Sequence, residues 1–199
     1  MKYSFKYGKR EKELIIPEYM DVSILKPVNS IIVEDPVAKL KQSLLDPINV
    51  KPLKNSQQPQ KIAIAIPDES RPFPVKLLLP ALLEHFYKTW PQIKPEQIII
   101  VIGGGLHPPL DKAGIERIIP QELIPGCQVI SHDAVNLPMA SYGVTSRGTP
   151  IQINAAYAQA DFKVILGQID AHQFVGYTGG AKGVVIGCAS EEMIEHNHG

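Results

Sequence analysis

Hydrophobic and polar positions divide the chain into two regimes. Residues Lys2 to Tyr7 alternate in character, turn at Gly8-Lys9-Arg10 and resume from Glu11 to Ile16 before Pro17, a pattern that predicts an N-terminal β-hairpin. Asp35-Pro36 supplies a helix N-cap followed by proline at the first helical position. Val37, Leu40, Leu44 and Leu45 then give a helical stripe ending near Asp46-Pro47. Lys51 to Gln60 is a polar, proline-containing connector expected to be a mobile loop.

From Lys61 onward, short apolar runs alternate with helical patterns. Ile62 to Ile66 and Ile98 to Ile102 read as fully buried strands, and further strands are expected at Gln128 to Ser131, Ile151 to Asn154 and Phe162 to Leu166. Helices are expected from Pro74 to Trp90, Asp111 to Ile119, Ala155 to Ala160 and Glu191 to His198. Pro80 should kink or divide the first of these, because it removes a backbone donor and crowds the preceding turn. This order implies an α/β fold with a mostly parallel sheet flanked by helices, preceded by the hairpin.

Composition narrows the function classes. Twenty basic and twenty acidic residues in 199 leave no net field to attract nucleic acid or an anionic membrane. With 44% hydrophobic and 20% charged residues, one sizeable core can form. The N-terminus lacks the apolar stretch of a signal peptide, and no run approaches the length of a membrane span, so a cytoplasmic location is expected. Cys127 and Cys188 stand apart without a CxxC pair and read as buried structural thiols.

In a parallel sheet, ligands sit beyond the carboxyl ends of the strands. Three loops there carry reactive residues: Asp68-Glu69-Ser70-Arg71-Pro72, Gly103-Gly104-Gly105-Leu106-His107, and the long stretch from Asp170 to Gly183 with His172, Tyr177, Gly179, Gly180 and Lys182. Singly, each has a plainer account, as a surface ion-pair arginine, a turn histidine and a glycine turn. The glycine triplet lacks the spacing of a dinucleotide fingerprint. Paired glycines ahead of a helix suit the close approach of a phosphate, and Lys182 follows them where it can touch or bond to such a ligand. His196 and His198 lie at i and i+2, about 200° apart on a helix, so at most one faces the site.

Together these residues resemble the nickel-pincer lactate racemases and their 2-hydroxyacid racemase and epimerase relatives. The resemblance rests on Asp68-x-Ser70-Arg71-Pro72, Gly105-Leu106-His107, His172-x-Phe174-x-Gly176-Tyr177-x-Gly179-Gly180-x-Lys182 and Asn197-His198-Gly199. It spans nearly all of residues 1–199 as an N-terminal cofactor-binding and catalytic domain. It implies a pyridinium mononucleotide bearing two sulfur groups, joined to Lys182 through a thioamide, with nickel held by two sulfurs, a ring carbon and His198. That donor set suits nickel(II). The resemblance further implies hydride removal from C2 of a 2-hydroxy acid and its return to the opposite face, with His107 and His172 as the two acid/bases, Arg71 on the substrate and Asp68 orienting Arg71 or the cofactor. Ser70, Tyr177, Gly179 and Gly180 match cofactor-binding positions.

The implied partners are a small 2-hydroxy acid, a second domain of the same enzyme and the proteins that make the cofactor. Two departures stand out. Pro108-Pro109 follows His107 where the family often has arginine and proline, and Ile186-Gly187-Cys188 replaces a usual Pro-Gly, which raises a lesser reading of Cys188 as a nickel ligand. The family continues into a second domain that completes the substrate pocket, so the isolated chain is expected to fold without appreciable turnover. The alternative readings are a cofactor-holding module without turnover of its own and a plain nucleotide-binding α/β domain.

Overall fold

The computed structural model describes residues 1–25, 32–173 and 176–198, except the side chain of His198. The motif residues Phe174 and Gly199, and the His198 side chain, lie outside the described residues. Two compact units are present, residues 1–34 and 35–199.

The first unit is the expected hairpin. β1 (Lys2–Tyr7) pairs antiparallel with β2 (Arg10–Ile15), with Tyr7 opposite Arg10 and Lys2 opposite Ile15. Gly8 takes a φ of +62° in the turn, a conformation that glycine adopts without steric cost. Lys12 places its ammonium 4.3 Å from the Tyr7 ring centroid.

The second unit opens with α1 (Pro36–Leu45), whose N-cap Asp35 accepts from the Ala38 N–H. The Lys51–Gln60 connector is more ordered than its composition suggests. It holds a 3-10 turn at Leu53–Asn55, and at its end the Asp161 carboxylate accepts from the Gln60 and Lys61 N–H groups at 2.7 and 2.6 Å.

β3 (Ile62–Pro67) leads to α2 (Val75–Thr89), which runs unbroken through Pro80. The expected division does not occur. The carbonyl that Pro80 leaves without an amide partner belongs to Lys76, an exposed residue whose carbonyl water can solvate. β4 (Ile98–Gly103), α3 (Lys112–Ile118) and β5 (Gln128–Ser131) follow. After them come a separate antiparallel pair, β6 (Met139–Val144) with β7 (Pro150–Asn154), and then α4 (Ala155–Ala158) and β8 (Phe162–Ile165). The remainder is a short antiparallel pair, β9 (Ala171–His172) and β10 (Gly176–Tyr177), a single turn α5 (Lys182–Val185), and α6 (Glu191–His198).

The main sheet is wholly parallel with the order β5-β4-β3-β8. The predicted strand at Ile151 to Asn154 is therefore real but lies outside this sheet, paired instead with β6, which the sequence reading missed. Alternation along β3 and β4 sorts two cores. Ile62, Ile64, Ile66, Ile98, Ile100 and Ile102 face the α2 side with Leu79, Leu83 and Phe86, whereas Ala63, Ala65, Ile99 and Val101 face α4 and α6 with Tyr157 and Met193. Each isoleucine so buried contributes about 1.5–3 kcal/mol of transfer free energy. The two alanines keep the second face shallow, and Val184, Val185 and Ile186 pack there.

Glycine contacts seat the turn of α5 against the strand ends. A Cβ on Gly187 would lie 2.4 Å from the Gly183 carbonyl oxygen, and one on Gly103 would lie 3.0 Å from the Gly187 oxygen. The Gly105 N–H donates to that same Gly187 oxygen at 3.1 Å. Behind them, buried His132 joins three elements. Its Nε2 donates to the Ala189 carbonyl at 2.8 Å, its Nδ1 accepts from Asn154 Nδ2 at 3.2 Å, and Asn154 Oδ1 caps α4. Sequence reasoning passed over this histidine.

Two outcomes test this arrangement. Gly187→Ala should lose about 2–3 kcal/mol in urea unfolding, because the clash is with backbone. Gly143→Ala, at a φ of +85° in open space, should lose only about 1 kcal/mol. The second concerns pH. Burial depresses the His132 pKa, so the unfolded chain takes up the proton first. The contribution of His132 is complete above the ordinary histidine value of about 6.5 and declines as pH falls toward the depressed folded value. His132→Gln should be less stable than wild type at pH 7 and show a shallower loss of stability between pH 7 and 5.

Candidate active site

A cavity of about 310 Å³ opens at the carboxyl ends of β3, β4 and β8. Strand order reverses between β3 and β8, and an open parallel sheet forms its ligand crevice at such a point. All three loops singled out in the sequence reach it. Its lining includes Asp68, Ser70 and Arg71 after β3, the glycines and His107 after β4, and His172, Gly179 and Lys182 after β8. Tyr177, on β10, is 69% exposed and does not line it; neither does Gly180.

The best-defined polar contact is a carboxylate–imidazole pair. Asp68 Oδ2 lies 2.6 Å from His107 Nδ1, with the carboxylate 11% and the imidazole 58% exposed. The Ser70 hydroxyl donates to the other oxygen, Oδ1, at 2.5 Å, and the Ser70 N–H adds a second bond there at 3.2 Å. Burial alone would raise the Asp68 pKa. The bonds from Ser70 and His107 outweigh it and hold the carboxyl below the ordinary range. A carboxylate at Nδ1 selects the tautomer protonated there and leaves Nε2 as the acceptor. Asp68, expected to orient Arg71 or the cofactor, and Ser70, expected at the cofactor, are bonded to each other, and Asp68 is bonded in turn to His107.

Two cations complete the site. Burial, and after it the nearby Arg71 guanidinium, push the Lys182 amine below the usual lysine pKa, which raises its neutral, nucleophilic fraction. Arg71 forms no ion pair among the described residues. Its forked donors remain available to an anion. Around these groups Ile66, Leu106, Ile165, Leu166, Ile186 and Ile194 supply apolar wall.

Gly179 has a structural reason of its own: its φ is +71°, and a Cβ there would sit 2.2 Å from the Gln168 carbonyl oxygen. The N–H groups of Lys182 and Gly183 are already bonded to the carbonyls of Gly179 and Gly180. The helix after the glycine pair, α5, is one turn long. Cys188 is fully buried, outside the cavity lining, with its thiol pushed up to about 12 by burial, as befits a structural thiol rather than a metal ligand. His196 bonds Thr149 at 3.2 Å, on the β6–β7 side of α6.

The pairing of Glu69 with Arg117 was also missed by sequence reasoning. The Arg117 guanidinium meets Glu69 through two bonds of 3.0 and 3.2 Å, a second tie between the β3 loop and the segment that follows the β4 loop. Glu69, lying between two cavity residues, was the one available signal. Among the described residues, no group of three His, Cys, Asp or Glu side chains is placed to hold a metal by itself, and no helix is long and apolar enough to cross a membrane.

Residues 7–199 match the sequence profile of the family described as lactate racemase N-terminal domain. The chain is 31% identical over 161 residues to the lactate racemase of Thermoanaerobacterium thermosaccharolyticum and 27% identical over 161 residues to that of Lactiplantibacillus plantarum. Each match covers 80% of this chain and 37% of the relative, so the chain spans well under half their length. The structure of the lactate racemase apoprotein from T. thermosaccharolyticum superposes with a TM-score of 0.80 at 27% identity, covering 98% of this chain and 45% of that one. A Thermotoga maritima protein shares the fold at a TM-score of 0.59 and 20% identity, over 80% of this chain and 40% of that one.

The carboxylate–imidazole pair is directly testable. Asp68→Asn should abolish the tautomer preference of His107, seen as convergence of its two ring 15N shifts in long-range 1H–15N spectra near neutral pH. Unchanged shifts would show that Asp68 does not set the tautomer.

Proposed function

The chain belongs to the lactate racemase N-terminal domain family, and we propose that residues 1–199 form the cofactor-bearing domain of a longer enzyme that racemises or epimerises lactate or a related 2-hydroxy acid. The observation that carries this reading is the convergence of Arg71, His107, His172 and Lys182, drawn from three separate loops, on one cavity at the sheet's switch point.

The residues present fit a lysine-linked nickel-pincer mononucleotide. Lys182 offers an amine with a depressed pKa on an open, largely apolar cavity, as formation of an amide-type bond requires. Ile194 lines that cavity, and position 198 stands one helical turn further along α6, where His198 would be the protein's nitrogen donor to nickel. In this reading most metal donors come from the cofactor itself. When bound, the group would supply a hydride acceptor able to return the hydride to either face of the substrate's C2.

The chain's own side chains would do the rest. Loss of hydride from C2 requires the hydroxyl to release its proton, and the two enantiomers present that hydroxyl from different sides. His107 Nε2, left as an acceptor by Asp68 on Nδ1, would take the proton on one side, and His172 on the other. Arg71 would hold the substrate carboxylate through paired N–H donors. A second part of the longer protein would close the cavity and exclude water.

In the full-length protein produced together with the cofactor's biosynthetic proteins, intact-mass analysis should show an adduct that Lys182→Ala lacks. His107→Ala and His172→Ala should keep nickel while slowing racemisation by about 10² to 10⁴-fold. His198→Ala should lose nickel. An unmodified wild-type mass, or nickel lost with His107 and kept without His198, would overturn the assignment.

A further inference from the structure

The loop that carries His172 leaves and re-enters the fold through one narrow neck. On the way out stands Gln168, and on the way back Thr178 and Gly179. The Thr178 N–H donates to the Asp170 carbonyl at 2.7 Å, and its hydroxyl donates to the Gln168 carbonyl at 3.3 Å. Gly179 presses so close to that same carbonyl that only glycine fits. Asp170 reinforces the outgoing side, accepting from the Ala171 N–H at 3.0 Å and from Gln168 Nε2 at 3.4 Å. Thr178 is 6% exposed although it follows Tyr177, which is 69% exposed, and it lines the cavity.

Two site residues depend on this pinch. His172 lies in β9, two residues beyond Asp170, and pairs with Gly176 of β10, so its place follows from how the ribbon leaves the neck. Lys182 lies on the other side, with its N–H bonded to the Gly179 carbonyl at 3.1 Å. We propose that Thr178 is a positioning residue: by closing the neck onto Gln168 it fixes the His172 imidazole in register with the Lys182 amine. The role of His172 as a base rests on the functional reading above; the positioning does not.

The physical basis is the shortness of the lever. A side-chain hydroxyl bridging the two strands of the neck removes a hinge next to the ribbon, and a displacement of about 1 Å at a reacting group costs as much as a hundred-fold in rate. Thr178→Val keeps shape and volume but removes the bridge, leaving the Gln168 carbonyl with one donor fewer. Thr178→Ser restores the bridge without the methyl group.

The test uses the chain for spectroscopy and the loaded full-length protein for kinetics. Thr178→Val should shift the His172 ring resonances and their pH titration while leaving those of His107 in place. It should also lower kcat about ten- to a hundred-fold with little change in KM, and Thr178→Ser should recover most of both. Gly179→Ala, which forces the neck apart, should move the same His172 resonances further if it folds. Unaltered His172 resonances in Thr178→Val, equal movement of His107, or failure of serine to rescue would overturn the proposal. A His172 shift in a protein without racemase activity would support the neck's role and refute the functional reading.

Discussion

The site depends on backbone lying directly against backbone at the end of β4. Gly103, Gly183 and Gly187 meet there with no side chain between them, and this lets the turn bearing Lys182 sit within reach of the loops after β3 and β4. A single methyl group at Gly187 would have to occupy the position of the Gly183 carbonyl. The small Ala63 and Ala65 on the same face of the sheet have a matching effect, since bulkier residues would lift α4 and the valines of α5 away from the strands.

Chemistry on that platform divides between anchored and available groups. Asp68 is committed to His107 and Ser70, and Glu69 to Arg117, while Arg71 has no acidic partner among the described residues and the Lys182 amine is partly desolvated. The carboxylates of the β3 loop are thereby engaged away from the two cations. Arg71 and Lys182 thus give the cavity a local positive character even though the chain as a whole carries no net charge.

Strands buried on both faces were readable because continuous runs such as Ile98 to Ile102 leave few other options, and the cap at Asp35 lies where a short polar side chain meets a helix start. β6 escaped notice because Met139 to Val144 is half exposed, with small and polar residues and a glycine that blur its alternation. At Pro80 the helix continues where a division was one of two expected outcomes, because the orphaned carbonyl lies on an exposed residue, which local sequence does not encode. At the site, the residue types and the three loops were visible in order, but which carboxylate pairs with which imidazole was not. Asp68 is 39 positions from His107, and only the parallel register of β3 and β4 sets them side by side. Gly179 has a further reason that the sequence does not show: a side chain there would meet the Gln168 carbonyl, 11 positions earlier.

The sheet's register also bears on synthesis of the chain. β8 pairs with β3 across one hundred residues, Phe162 beside Ile62, and no other described strand covers that side of β3. Until a ribosome has delivered Phe162 to Ile165, the run Ile62-Ala63-Ile64-Ala65 presents an unpaired and wholly apolar edge, an open template for another nascent chain. Translational pauses before this point expose a segment prone to association, whereas those after it leave the edge covered.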